Sequence, residues 1–156
     1  MTVVASRNHP RIYRSLHAWL LAAVGVTMIV IGFYFIFVRP PLLPEDLHYM
    51  AVSSERLQVA APMLARWLGW VFTVLGGYIG GAGLLIVHLA LDAFADCKPR
   101  AVLVAALAGG MTIGTMSAVN FLIGSHFRFA LLALTTLWAA ALVCACLKGW
   151  KRRSIH

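Results

Sequence analysis

Four long runs of apolar residues divide the chain, at residues 18–38, 67–91, 101–123 and 129–147. Each run is close to the ~20 residues that an α-helix needs to cross the hydrocarbon core of a bilayer. Backbone groups inside a bilayer have no water to bond with, so runs of this length predict helices. The pattern predicts an all-α fold, a four-helix transmembrane bundle that forms a single membrane domain over residues 1–156.

The connection between the first two runs, residues 39–66, has the residues of short helices. Pro44 followed by Glu45 and Asp46 is typical of a helix start, with proline in the first turn and acids at the positive end of the dipole. Ser53 or Ser54 can cap a second short helix. The sequence therefore predicts a short helical cap on the membrane surface between the first and second spans.

Composition removes the soluble alternatives. The chain is 62% hydrophobic and 12% charged, with a mean hydropathy of +0.86, whereas soluble domains carry about 25% charged residues. The net charge of +8 lies beside the apolar runs, where basic residues set topology and meet anionic lipid headgroups. We therefore expect the lipid bilayer as a partner and no binding of nucleic acid.

The distribution of lysine and arginine predicts the orientation. Nine of these residues lie in the two terminal segments and the turn at 92–100, against four on the other side. Basic residues are enriched in cytoplasmic loops, so both termini are expected in the cytoplasm and the cap outside it.

Glycines crowd the second run. On a helical wheel they occupy two neighbouring faces, one with Gly69, Gly76, Gly80 and Gly83, the other with Gly77 and Gly81. In lipid, small residues at GxxxG spacing allow helices to approach closely. The second span is therefore predicted to be the central packing helix, and Gly110 and Gly114 form a further pair on the third. The partner can be another helix of the chain or a second copy in a homo-oligomer.

Polar residues within the spans are few. His88 and Asp92 lie four residues apart and share a helix face, which fits either a proton relay or an anchor at the membrane boundary. Asn120 can bridge helices by hydrogen bonds or line a small cavity at the outer end.

The outer face collects enough polar groups for a binding site, or for the salt bridges of an ordinary loop. Its members include Glu45, Asp46, His48, Glu55, Arg56, Arg66, His126 and Arg128. The set has no metal-site spacing and no nucleophile with an evident base. The sequence therefore leans away from an enzyme, without a catalytic residue or a metal ligand to name.

Histidines and cysteines bear on cofactors. His17 with His88, or His48 with His126, can be paired near one membrane surface, and two histidines from different helices can hold haem. Both His17 and His48 lie at or beyond helix ends, so no cofactor is predicted and haem stays a minor alternative. The three cysteines lack a metal-site spacing and are interpreted as reduced thiols, at Cys97, Cys144 and Cys146.

A sequence resemblance agrees with this architecture. The run from Leu43 to Met50, the triplet from Glu55 to Leu57, and the residues around Gly76-Gly77 and Ala82-Gly83-Leu84 resemble uncharacterised small four-helix membrane proteins of bacteria. The resemblance implies a multi-pass protein of the bacterial inner membrane and carries no activity with it.

Three functional interpretations remain. The first is a small polytopic membrane protein that acts by helix packing with itself or with a larger membrane partner. The second is a carrier or binder of a small lipophilic molecule, with Asn120, His126 and the cap at the mouth of its site. The third is a small haem or quinone redox protein.

Overall fold

The computed structural model describes residues 16–153, and within that part of the chain every regular element is a helix. Four helical spans are long and apolar enough to cross a membrane, which confirms the predicted fold class. The spans are α1 (Leu16–Phe37), α4 (Leu64–Leu91), the third span and α7 (Arg128–Arg153), and the cap holds α2 (Pro44–Tyr49) and α3 (Ser54–Ala60). The third span consists of α5 (Pro99–Gly109), a π-helical turn (Gly110–Gly114) and α6 (Thr115–Leu122).

The ends of the cap helices follow from their sequence. Helix α2 begins at Pro44, and the backbone amide of Leu43 donates to Asp46 Oδ2 at 2.9 Å. The carboxylate of Asp46 thus bonds a backbone amide at the helix start, where the dipole also favours a negative charge. Helix α3 is capped by Ser53, whose Oγ accepts from the amide of Arg56 at 3.3 Å. Both short helices agree with the predicted cap.

The bundle is arranged around α1 and not around α4. Helix α1 packs against α4 on one side and α7 on the other, and α7 in turn packs against the third span. The predicted central role of α4 is therefore wrong for this chain. The physical reason is that α1 carries its own small residues and can therefore approach two neighbouring helices. These buried small residues include Ala18, Ala22, Gly25 and Gly32.

Two pairs of glycines bring α1 and α4 into backbone contact. A Cβ added at Gly83 would lie 2.6 Å from the carbonyl oxygen of Gly25 and 2.9 Å from the amide nitrogen of Ile29. A Cβ added at Gly76 would lie 2.6 Å from the carbonyl oxygen of Gly32. Neither position has room for a side chain, so these contacts require glycine.

The other glycines of α4 are placed differently. Around a Cβ added at Gly77 or Gly81 there is no atom within 4 Å, and both residues are exposed. A Cβ added at Gly80 or Gly69 would have one neighbouring atom within 4 Å, at 3.9 Å and 3.8 Å. Gly80 still belongs to the α1 contact, because a Cβ added at Gly32 would lie 2.7 Å from its backbone nitrogen. Within the described chain, the face with Gly76 and Gly83 thus meets α1, whereas the face with Gly77 and Gly81 is open.

The third span meets α7 at Gly109. A Cβ added there would overlap the Trp138 indole, whose Nε1–H donates to the carbonyl of Ala105 at 3.0 Å. Gly110 has nothing within 4 Å of an added Cβ, and Gly114 has only the carbonyl of Gly109, at 3.8 Å. The α7 contact therefore uses Gly109, one residue before the predicted Gly110.

Candidate functional site: a cavity beneath the cap

A cavity of 530 Å³ lies at the end of the bundle that carries the cap. We name this the cap end, formed by residues 38–63 and the turn at 123–127, and the opposite end the terminal end. The walls come from α1, α6 and α7, with Phe72 of α4 and the start of α2 at the mouth. Its main apolar residues are Val30, Ile31, Tyr34, Phe35, Phe72, Met116, Val119, Ile123, Phe127, Leu131 and Leu134.

Helix α7 forms the floor of the cavity, and the side between α1 and α6 is open. Leu131 and Leu134 are buried on the floor, at 8% and 5% exposure. By contrast, Val30 of α1 and Val119 of α6 line the cavity and remain 61% and 46% exposed. A molecule can therefore reach the cavity sideways, from the medium around the apolar helices.

A cation held between rings lies at the mouth. Arg39 forms an ion pair with Asp46, with an Nη2–Oδ2 distance of 3.3 Å. The same guanidinium lies 3.6 Å from the centre of the Phe72 ring and 5.3 Å from that of Phe35. Guanidinium groups are attracted to the electron-rich faces of aromatic rings. Arg39 thus joins α1, α2 and α4 at the entrance.

Glu45 brings a second carboxylate to the cavity. Its Oε2 lies 3.5 Å from Nδ1 of His126, and its side chain is only 10% exposed, against 85% for His126. A hydrogen bond from the Glu45 backbone amide and the attraction of His126 hold the pKa of Glu45 below its ordinary value, although burial acts in the opposite direction. Glu45 is therefore ionised at neutral pH.

Asn120 and Ser125 add neutral polar groups to the wall. The side-chain amide of Asn120 donates to the carbonyl of Met116 at 2.9 Å, within its own helix. Ser125 is buried, and its Oγ accepts from the amide of Phe127 at 3.2 Å. The turn between them is allowed by Gly124, whose φ of +67° lies in the left-handed region that favours glycine.

The remaining polar residues singled out in the sequence lie apart from this cavity. His48 and Arg56 are exposed on the cap and do not line it. His88 and Asp92 are exposed at the terminal end, and no hydrogen bond or ion pair joins these two described residues. The structure thus brings Glu45, Asp46, Asn120 and the nearby His126 together. The residues left outside the cavity lining are His48, Glu55, Arg56, Arg66, His88, Asp92 and Arg128.

The terminal end contains a contact that sequence reasoning missed. His17 is buried, and its Nε2 lies 3.3 Å from Cys97 Sγ and 3.3 Å from the carbonyl oxygen of Ala95. Its ring also meets Phe94 edge-on, with centroids 5.5 Å apart. Cys97 borders an open cleft of 1010 Å³ between α5 and α7. The residues are separated by 80 positions, so no local pattern could pair them.

The described part of the chain contains all three cysteines, and their pairing and any metal-binding groups can be read from the side-chain positions. Cys97, Cys144 and Cys146 are all free thiols, as the sequence predicted. Among residues 16–153 no group of three or more histidine, cysteine, aspartate or glutamate side chains is placed to hold a metal ion.

Comparison with known proteins adds no family to this geometry. No protein-family model, curated protein or solved structure matches the chain. The functional argument therefore rests on the cavity and its residues.

Proposed function

We propose that this chain is a multi-pass protein of the bacterial inner membrane that binds a small lipophilic molecule in the cavity at its cap end. The observation that supports this most directly is the cavity itself, with apolar walls and a few polar groups at one end. Its 530 Å³ falls within the ~300–1,000 Å³ of typical ligand sites.

The charge pattern supports an orientation for this site. Basic residues favour the side that carries both termini, nine against four, which supports an orientation with the termini in the cytoplasm and the cap end in the periplasm. The opening between α1 and α6 would then lie within the outer leaflet. A lipophilic molecule would enter the cavity from the lipid, with its polar part toward the cap.

The first experiment fills the cavity with a bulky side chain introduced on α7. Ala130 and Ala133 are both exposed residues of α7, and only Ala130 is among the residues that line the cavity. We expect a small apolar aryl diazirine, photolysed with the protein in nanodiscs, to label the cavity walls in a saturable way. The Ala130→Trp variant should lose this labelling, because the indole occupies the space, and Ala133→Trp should keep it.

The pattern of labelled residues decides the outcome. Mapping by mass spectrometry should find labels on the buried wall residue Leu134, which general lipid exposure would not label. Labelling that does not saturate, follows general lipid exposure and is equal in both variants would overturn the proposed binding site. Lipids or metabolites that co-purify in mild detergent would identify the natural occupant.

A second candidate function is self-association through α4, which the open face at Gly77 and Gly81 supports. After replacement of the three native cysteines, single cysteines at these two positions should crosslink between copies in native membranes. Cysteines at Leu103 and Leu107, exposed on α5, serve as controls. Crosslinking at all four positions or at none would remove this candidate.

A further inference from the structure

The charges around the cavity do not balance. Among the described residues that line it, those that carry a formal charge at neutral pH are Arg39, Glu45 and Asp46. Arg39 is paired with Asp46 at 3.3 Å. Glu45 is paired with His126, which lies outside the lining and, at 85% exposure, is in contact with solvent. The cavity therefore has one carboxylate more than it has cationic groups.

The ion pair between Glu45 and His126 is weak, so Glu45 can still attract a positively charged ligand. An ion pair with an exposed partner gains little, because water screens the attraction. The Glu45 side chain is 10% exposed, so it has little contact with water. A positive charge brought into the cavity would interact with Glu45 in a less polar medium than His126 does, and the interaction would be correspondingly stronger.

The rings of the cavity are also suited to a cation. Phe72 and Phe35 already hold the guanidinium of Arg39, which shows that the mouth accommodates a positive charge against aromatic faces. Tyr34 and Phe127 add two further rings, with centroids 6.0 Å apart. Aromatic faces attract organic cations and repel anions, since their π-systems are electron-rich.

We propose that the cavity selects lipophilic cations, such as organic amines and onium ions with an apolar body, and that Glu45 is the counter-ion. The apolar body lies between α1, α6 and α7, and the positive charge lies at the cap, against Glu45 and the Tyr34 and Phe127 rings. This inference rests on the proposed function and adds the class of ligand to it.

The test uses two ions of matched shape and opposite charge. Binding of tetraphenylphosphonium and of tetraphenylborate is measured by equilibrium dialysis with the full chain in phosphatidylcholine nanodiscs, after subtraction of empty nanodiscs. We expect saturable binding of the phosphonium only. Glu45→Gln should weaken it by about tenfold, the change that 1.4 kcal/mol produces.

The chain offers a matched control and a second variant. Glu55 is an exposed acid on α3 outside the cavity, so Glu55→Gln should leave phosphonium binding unchanged. His126→Arg places a permanent positive charge beside Glu45 at an exposed position, which is compatible with folding. It should weaken phosphonium binding as Glu45→Gln does, and it therefore keeps the test decisive if Glu45→Gln does not fold.

The outcomes separate this inference from the proposed function. Equal binding of both ions, or phosphonium binding unaffected by both variants, would overturn the selection of cations. If the aryl diazirine still labelled the cavity walls, the proposed lipophilic site would stand. If neither ion bound and the diazirine labelling were also absent, both proposals would fail.

Discussion

Helix α1 meets its neighbours in two different ways. Toward α4, Gly25 and Gly32 place its backbone against Gly83 and Gly76, with no room for a single added carbon. Toward α6, larger side chains of the same helix line a cavity of 530 Å³, among them Val30, Ile31 and Tyr34. One helix therefore has a closed side and an open side.

The size of the residues explains the difference. Apolar side chains gain nothing by leaving lipid for a protein interior that is equally apolar, so helices in membranes approach closely where small residues allow backbone contact. On the open side of α1 the side chains are too large for such an approach, and α7 packs against both α1 and the third span. The space that remains is bounded by apolar walls and is available to a ligand.

The largest effect is expected when the closed side is broken. Gly83→Ala places a carbon 2.6 Å from the carbonyl oxygen of Gly25, and overpacking of this kind costs about 1–3 kcal/mol or more. Gly81→Ala meets nothing within 4 Å and should be neutral or stabilising by up to about 1 kcal/mol. Reversible unfolding in mixed micelles would measure both. An equal loss of unfolding free energy in the two variants would contradict the close backbone contact between α1 and α4.

An intermediate effect is expected at the contact between the third span and α7. Gly109→Ala pushes against the Trp138 indole, which can turn away only by giving up its hydrogen bond to Ala105. The expected loss is about 1–2 kcal/mol, the value of one such bond plus some repacking. Gly110→Ala, with open space around it, is the control. In a Trp138→Phe background, Gly109→Ala should lower the free energy of unfolding by less than it does alone. If the two substitutions lowered it additively, the contact between Gly109 and the Trp138 indole would be contradicted.

The smallest effect concerns the charged end of the open side. Because the pKa of Glu45 is lowered in the folded protein, its carboxylate stabilises the fold at neutral pH. That stabilisation is lost as the pH falls through the folded-state pKa and the carboxylate takes up a proton. The other ionisable groups around the cavity are Arg39, Asp46, Tyr34 and the nearby His126.

The measurement compares unfolding of two variants at neutral and acidic pH. The Glu45→Gln variant should have a lower free energy of unfolding than the parent chain at neutral pH. On acidification its free energy of unfolding should fall by less than that of the parent. Glu55→Gln, changed at an exposed acid of α3, should keep the parent's acid sensitivity. An identical response of all three chains would mean that Glu45 does not couple folding to pH.

The spans and the cap could be predicted because their signals are local. Runs of apolar residues predicted the helix ends to within three residues, except that α7 continues to Arg153, six residues beyond the predicted end. Pro44 and Ser53 marked the starts of the cap helices. The contribution of α1 was missed because Gly25 and Gly32 lie seven residues apart, without a GxxxG pair to draw attention to them. Their role appears only when α4 is placed against them.

The site was partly within reach of the sequence. Asn120, Glu45 and Asp46 were expected near one end of the bundle, and they line one cavity there. The pairing of Arg39 with Phe72, and of His17 with Cys97, joins residues that are far apart in the chain. Such contacts depend on which faces of the helices meet, and hydropathy contains no information about that.

The π-helical turn of the third span makes the cavity depend on chain length. The amide of Thr115 donates to the carbonyl of Gly110, five residues earlier, so the segment contains one residue more than an α-helical turn holds. Relative to an unbroken α-helix of the same sequence, that extra residue rotates every later residue by about 100°. If the wide turn became an ordinary α-helical turn with all its residues kept, Met116 and Asn120 would rotate away from the ligand space although no wall residue had changed. The shape of the pocket is thus set by the number of residues that this turn holds as well as by the identity of the wall residues.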